Sequence, residues 1–460
     1  MSRPRVAVIG GGLTGLATAW HLRDDAEVVL YEAAGEPGGQ IRTVELEDGP
    51  LDVGADALLL RQAAGPGLLE ALGFGDHELV TPQVSRVLLW LDRRLRELPS
   101  GTVFGVPTDL RALARSRVLT APELAYVASE RVRPRRTVVG DRSVSDLVGE
   151  RFGRGVVQRL VDPLLGGVYA GDPARLSAQS TLPPVWEAAA DHRSVTDGLR
   201  AQRRRTASEP GPVFTTVRDG LGRVIERLTA ALGDRVRSNS RVRSLRARAG
   251  GVALHLDDRS ELFDRVVLAV PPAAAADLLA ADWRAVAREL AGVRSASVGV
   301  VALAYSAGDA SGIPAASGVL VPRTEGRLVK AITVGSVKWP HLASRSRVLL
   351  RASVGRIDDD RALALDDDEL VERVDAEVRW ALALRAPAQE RIVTRWPDAL
   401  PQYDVGHLAR LDRIRHLLTQ EPGGIHLGGA MFDGVGLSAR AADAARLAAD
   451  VRRELAVPSR

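Results

Sequence analysis

Cysteine is absent from all 460 residues. That excludes disulfides, thiolate metal sites, a cysteine nucleophile and any cofactor attached through sulfur. Lysine is nearly absent too: Lys330 and Lys338 stand alone, and arginine supplies the rest of the 62 basic residues. Against 58 acidic residues the balance is only +4, and no concentrated basic stripe marks a nucleic-acid partner. Arg203-Arg204-Arg205 comes nearest and reads as a solvated loop. The eight histidines are scattered, with no pair at metal-ligand spacing, so no metal site is expected. There is no G-x-S-x-G motif and no paired-carboxylate arrangement. No apolar run reaches the length of a membrane span; the longest, Val266 to Ala280, is broken by Pro271, Pro272 and Asp277. The N-terminal apolar run leads straight into a glycine cluster, unlike a signal peptide. These absences lead to the expectation of a soluble, cytoplasmic protein of roughly three domains at about 150 residues each, with at most peripheral membrane contact.

What is present starts at the N-terminus. Residues 5–9, RVAVI, form a short β-branched run suited to a buried parallel strand. Gly10-Gly11-Gly12-Leu13-Thr14-Gly15 follows and fits G-x-G-x-x-G, after which Leu16, Ala17 and Trp20 fall near one helical face. A second strand, EVVLY, leads to Glu32, seventeen positions beyond Gly15. Each part has a physical task. Gly10 permits a tight turn, Gly12 lets backbone approach a pyrophosphate, and Gly15 lets helix pack close on strand. The helix N-terminus offers N–H groups and a positive dipole end to phosphate. Glu32, with Ala33 beside it, is placed to accept hydrogen bonds from a ribose. Strand, glycines, helix and acid together make a dinucleotide-binding fingerprint far more specific than the glycines alone.

Near the other end, IHLGG at 425–429 reads as a short strand. Asp433-Gly434-Val435-Gly436 then forms a glycine-rich loop, and from Leu437 an Ala- and Arg-rich stretch favours a long helix. Between the ends, RVVLAVPP at 265–272 reads as a buried strand leaving its sheet. Val242 lies in a strand-like SRVRSL ahead of a hairpin turn at HLDDRS. In the centre, Ser143 and Asp146 form a capping-box-like start to a helix. Phe152, Val156, Val157, Leu160 and Val161 share one helical face, and Pro163 is expected to end that helix. Residues 162–181, DPLLGGVYAGDPARLSAQST, are expected to be broken pieces, with a turn at Ala170-Gly171-Asp172-Pro173 and a cap at Ser177.

The glycine fingerprint, the second glycine pair Gly38-Gly39 and LDVGAD at 51–56 together resemble the flavoproteins that include amine oxidases and protoporphyrinogen-type oxidases. The resemblance then becomes more specific. KWPH at 338–341, TRWPDALPQYDVGH at 394–407 and above all DPLLGGVYAGDPARLSAQST run in order with the bacterial protoporphyrinogen/coproporphyrinogen oxidase family, in particular its coproporphyrinogen III oxidases. It covers essentially the whole chain.

That resemblance implies an α/β fold: a Rossmann-like FAD-binding domain, a mixed-sheet substrate domain and a helical domain resembling the family's membrane-facing one. The FAD domain is expected at 1–80, 215–290 and 410–460, the substrate domain at 81–98, 180–214 and 291–409, and the helical domain at 99–179. FAD is implied as a non-covalent cofactor. Gly38, Gly39, Gln40 and Arg42 would lie along its diphosphate, although Gln40 stands where some relatives have lysine. Gly54, Ala55, Asp56 and Ala57 would approach the flavin ring, with Trp396 near it. Val435, Gly436 and Leu437 would face the ring's pyrimidine side, and Val242 the adenine side. The implied activity is oxidation of coproporphyrinogen III by O2, giving coproporphyrin III and H2O2 in haem biosynthesis. Hydride leaves a meso carbon for flavin N5, so no catalytic side chain is assigned. Arg61, Tyr169 and Lys338 are the implied substrate-binding residues. A coproporphyrin ferrochelatase is implied as a transient partner. A protoporphyrinogen IX oxidase and a flavin amine oxidase are the alternative readings.

Overall fold

The computed structural model describes residues 3–47, 49–134, 138–205, 211–344 and 346–456. The chain divides into two compact units: Met1–Thr81, Pro212–Ser295 and Ala409–Arg460 make one, and Pro82–Gly211 with Ala296–Leu408 the other.

The first unit is built on a parallel sheet. Its strands run in the order Val236–Arg237, Glu27–Tyr31 (β2), Arg5–Ile9 (β1), Arg265–Leu268 and Ile425–Leu427. Val8 pairs with Leu30 on one side and Val267 on the other. Both faces are covered, as parallel sheets require. Val6, Val8, Val28 and Leu30 point into a core shared with helix α1 (Leu13–Leu22), the helix Gly222–Leu232 and the C-terminal helix Leu437–Leu455. Ala7, Ile9, Val29, Tyr31 and Leu268 point the other way, into a core with the antiparallel strands 244–263 and Trp283. Full burial on both faces explains why RVAVI and RVVL are unbroken apolar runs rather than alternating ones.

The second unit holds a seven-stranded sheet in the order Glu390–Pro401, Ser295–Ser306, Arg347–Val354, Val329–Val334, Gly318–Leu320, Val87–Leu91 and Arg94–Glu97. It is mixed: Gly318–Leu320 runs parallel to Val87–Leu91, whereas the pairs along 295–354 are antiparallel. The helix Asp367–Leu382 seals one face with Leu370, Val374 and Val378. Residues 99–179 fall inside this unit, and its helices continue beyond them, through Pro183–Asp191 and Val195–Arg205. Arg203 to Arg205 therefore form the last turn of a helix, not a loop, where cations suit the dipole. No helix of the described residues is long and apolar enough to cross a membrane.

The sequence expectation is wrong at Pro163. The chain does not break there. Helix Val144–Phe152 starts at its Ser143 cap as expected. A short helical turn and a π-helical stretch, Val157–Val161, then lead directly into the helix Asp162–Tyr169. Pro163 sits in the first turn of that helix, directly after the π-helical stretch, where the regular i→i−4 ladder that a residue without an N–H could not continue is already displaced. Asp162–Tyr169 closes at Ala170, in the left-handed region at φ 50°. Ser177 caps the next helix, Ala178–Thr181, accepting from the Ser180 N–H at 3.0 Å.

Candidate functional site

β1 ends at Ile9, the chain turns at Gly10, and α1 begins at Leu13 with Gly12 as its N-cap. Gly12 supplies no side-chain cap, so the first-turn N–H groups of α1 face outward at the carboxyl end of the sheet. No atom stands within 4 Å of where a Gly12 Cβ would be. The Thr14 hydroxyl is buried with no hydrogen-bond partner among the described residues. Open space, outward donors and an orphaned hydroxyl at one helix end fit a bound pyrophosphate. Gly15 serves close packing: a Cβ there would overlap the Gly10 carbonyl oxygen.

Glu32 closes β2 over this turn. One carboxylate oxygen accepts the Gly11 N–H and the other the Ala34 N–H, both at 2.7 Å, and Ala33 is exposed beside it. Two mooring bonds fix the acid at the strand end, with lone pairs left for a ribose. The Ser240 N–H donates to the Glu32 carbonyl at 2.8 Å, and the Asn239 N–H to that of Ala34 at 2.9 Å. These bonds carry 239–242 across the strand ends. Val242 is buried in the same core as Tyr31, but it precedes the strand Ser244–Arg248 rather than lying in one.

The two glycine motifs meet. The Gly38 N–H donates to the Gly11 carbonyl at 2.8 Å, Gly12 and Gly38 form an isolated bridge, and Gly39 faces the Gly12 Cα. Gln40 and Arg42 are exposed and follow directly. Their carbonyls accept the Ala55 and Val53 N–H groups at 3.0 and 2.9 Å, which ties the half-buried Gly54, Ala55, Asp56 and Ala57 to the same edge.

The C-terminal helix repeats the device. Its N-cap is Gly436, again without a side-chain cap and with no atom within 4 Å of a Cβ position. Val435 is half-buried before it, and Leu437 buried after it. Ser438 then bonds both the N–H and the carbonyl of Leu59, at 3.1 and 3.0 Å. That locks this helix end to the short strand Leu58–Leu59 that follows Ala57. Arg61, exposed four residues beyond Ala57, forms no ion pair among the described residues.

The remaining expected residues lie in the second unit. Trp396 is half-buried on Glu390–Pro401. Lys338 ends the helix Gly335–Lys338, its Nζ 4.6 Å from the Trp339 ring. Tyr169 is buried at the end of its helix, its ring 5.5 Å from that of Tyr403, and burial pushes its phenol up to about 12.

Two residues of this site have roles that motif reading does not assign. Asp52 is buried and accepts both the Leu221 N–H at 3.0 Å and the Thr43 hydroxyl at 2.6 Å. It thus fastens the hairpin Thr43–Asp52 to the start of the helix Gly222–Leu232. Asp443 is fully buried in the C-terminal helix, bonds the Gly429 N–H at 2.7 Å and pairs with Arg446 at 2.5 Å and Arg440 at 3.6 Å. Burial pushes its carboxyl up, while the Gly429 amide and both guanidinium groups pull it back down. The R-x-x-D-x-x-R spacing carried the only sequence signal. Asp443→Ala would take this acceptor from the buried Arg440 and the Gly429 N–H, whereas the half-exposed Arg446 keeps Asp433 and Asp450. The expected loss is about 3 kcal/mol or more of stability, read as a lower urea midpoint, together with loss of yellow colour on gel filtration.

The model of the family described as flavin containing amine oxidoreductase matches residues 13–451. A coproporphyrinogen III oxidase of Mycobacterium tuberculosis is 36% identical over 96% of both chains. One of Bacillus subtilis is 30% identical over 95% of both. The crystal structure of a candidate protoporphyrinogen oxidase from Exiguobacterium superimposes with a TM-score of 0.88 at 28% identity, covering 99% of this chain and 100% of that one. With two glycine-capped helix ends and the anchored Glu32 carboxylate on one parallel sheet, the chain is an oxidoreductase that belongs to the flavin containing amine oxidoreductase family and, within it, to the family of the coproporphyrinogen III oxidases.

Proposed function

We propose that this protein binds FAD without a covalent link and oxidises coproporphyrinogen III to coproporphyrin III, with O2 as acceptor and H2O2 as by-product. One observation carries the cofactor half of this reading: two helix N-termini in one unit, at Gly12 and Gly436, present backbone N–H groups to open space. End-to-end similarity to the coproporphyrinogen III oxidases supports the substrate half.

The Gly10–Gly15 turn would hold the pyrophosphate and Glu32 a ribose, with Gly38, Gly39, Gln40 and Arg42 along the diphosphate. Val242 would meet the adenine side. Gly54–Ala57, Trp396 and Val435–Leu437 would meet the ring system. The bound flavin supplies a two-electron acceptor. The positive end of the helix starting at Leu437 would stabilise negative charge nearby. The pyrrole-flanked CH2 of a porphyrinogen is already activated, so placement carries much of the rate and no acid–base triad is needed. Propionates need cations, and an exposed Arg61 can offer a bidentate contact. Tyr169 and Lys338 are the further proposed substrate contacts. The site of action would be the cytoplasm, with at most peripheral membrane contact, and a coproporphyrin ferrochelatase would take the product.

The test is a side-by-side assay of porphyrin fluorescence and O2 uptake with coproporphyrinogen III and protoporphyrinogen IX. The expected result is faster turnover of the former. Faster turnover of the latter would instead favour the second reading, to which the fold likeness to the Exiguobacterium protein lends weight. Arg61→Ala is expected to raise KM for coproporphyrinogen about tenfold, the worth of one charge-assisted contact, with kcat little changed. An unaltered KM would remove Arg61 from the substrate site.

A further inference from the structure

The helix Asp162–Tyr169 rests on a set of buried polar groups that neither the cofactor site nor the proposed substrate contacts explain. Asp162, 5% exposed, accepts the Arg323 N–H at 2.8 Å. The Arg323 side chain reaches the Gly171 carbonyl at 3.3 Å, and the Ile357 N–H donates to the Ala170 carbonyl at 2.7 Å. Gln402 donates to the Tyr169 carbonyl at 2.8 Å. Both ends of the helix are therefore pinned to the loops 321–323 and 355–357 and to residue 402.

Its middle is held differently. Arg356 is 7% exposed, and its Nη2 donates to the Val321 carbonyl. Its Nη1 is buried, without a hydrogen-bond partner among the described residues, and lies against Gly166. A Cβ on Gly166 would overlap that nitrogen. The helix backbone thus seats directly on a guanidinium, which a side chain at 166 would have to displace. A buried donor left unpaired costs about 1–3 kcal/mol, so the arrangement calls for a reason beyond filling space. Burial and Arg323 oppose its charge, Asp162 and Asp359 favour it, and Lys330 lies nearby.

We propose that Arg356 is a positioning residue for porphyrinogen binding: its guanidinium, seated under Gly166, sets the height of the helix Asp162–Tyr169 and through it the place of the Tyr169 side chain. The inference rests on the function proposed above. Lysine at 356 removes Nη1 and lets the helix sink. Alanine at 166 pushes the helix off the same seat. Combined, the added methyl fills the space that Nη1 vacates.

The experiment measures coproporphyrinogen III kinetics for the wild-type holoenzyme, Arg356→Lys, Gly166→Ala and the double variant, with bound flavin quantified in each. Each single variant is expected to raise KM about tenfold, with kcat within about twofold and flavin content unchanged. The double variant is expected to lie closer to wild type than either single. A merely structural role would lower stability without this rescue in KM. Wild-type KM in the single variants, or effects that multiply in the double variant, would overturn the inference. If Gly166→Ala yields no folded protein, Arg356→Lys decides alone, and a wild-type KM there overturns it. A wild-type enzyme that oxidises no porphyrinogen overturns the functional reading itself, which an active wild type with unaffected variants does not.

Discussion

Raising the pH from 7 to 9 is expected to stabilise this protein by about 2 kcal/mol, and Lys330→Met is expected to abolish the gain. Lys330 is 3% exposed, at a bulge where the register between Val329–Val334 and Arg347–Val354 shifts. Its ammonium has the Gly355 carbonyl at 2.7 Å as acceptor and the Arg356 charge nearby. Burial first, and then Arg356, lower its pKa from 10.5 to about 7. Between those values the unfolded chain holds a proton that the folded chain has released. Unfolding therefore becomes harder as pH rises, by at most about 1.4 kcal/mol per pH unit. The contribution is complete above the unfolded pKa and is lost as pH falls through the folded one.

Composition makes this slope readable. With no cysteine and one other lysine, few side chains titrate between about pH 7.5 and 9.5. Tyr31 and Tyr305 are pushed up, chiefly by burial. They act only at higher pH and with the opposite sign, because the folded chain then keeps protons that the unfolded chain loses. Urea midpoints at pH 7, 8 and 9 check the expectation. A flat wild-type profile, or a slope that survives Lys330→Met, refutes it.

The legible and illegible parts of this fold separate along a physical line. The strand at RVAVI, the turn at Gly10–Gly15, the second strand and the C-terminal glycine-led helix all follow from local rules, and each stands where the pattern puts it. Their continuous apolar runs mark strands buried on both faces, whereas their order in the sheet depends on distant pairings that no local pattern holds. Pro163 misled because a proline that ends one helix and a proline that begins another look alike without the preceding geometry. Here a π-helical stretch carries the chain up to it. Val242 looked like part of a strand because its neighbours alternate, but the strand begins only at Ser244, after the Ser240 N–H has bonded the Glu32 carbonyl. Asp52, Asp443 and the seat of Arg356 under Gly166 depend on residues far apart in the chain, such as 52 with 221, and 356 with 166. No local period encodes such pairs. Asp443 alone left a trace, through its arginines one helical turn to either side.

Two alanine substitutions in the fingerprint are expected to fail in opposite ways, which separates packing from cofactor binding. At Gly15 the new methyl overlaps the Gly10 carbonyl oxygen and comes within 3.4 Å of the Ala269 Cβ. Backbone cannot swing aside as a flexible side chain can, so α1 must lift from β1. That loosens Leu16 and Ala19, both fully buried in the core shared with the C-terminal helix. The expected cost is about 3 kcal/mol or more, seen whether or not flavin is bound. At Gly12 the backbone is extended, at φ −73° and ψ 175°, and a methyl meets nothing within 4 Å. Gly12→Ala should therefore leave the flavin-free protein as stable as wild type, or more stable by up to about 1 kcal/mol through a stiffer unfolded chain. If the open space at Gly12 is where a pyrophosphate lies, that methyl stands in its way, and flavin affinity should fall about a hundredfold, the equivalent of roughly 2.7 kcal/mol. Urea titrations of the deflavinated proteins, with fluorescence titrations of FAD into the same samples, read both quantities. Normal FAD affinity in Gly12→Ala would mean that this helix end does not hold the cofactor, however well the fold around it survives.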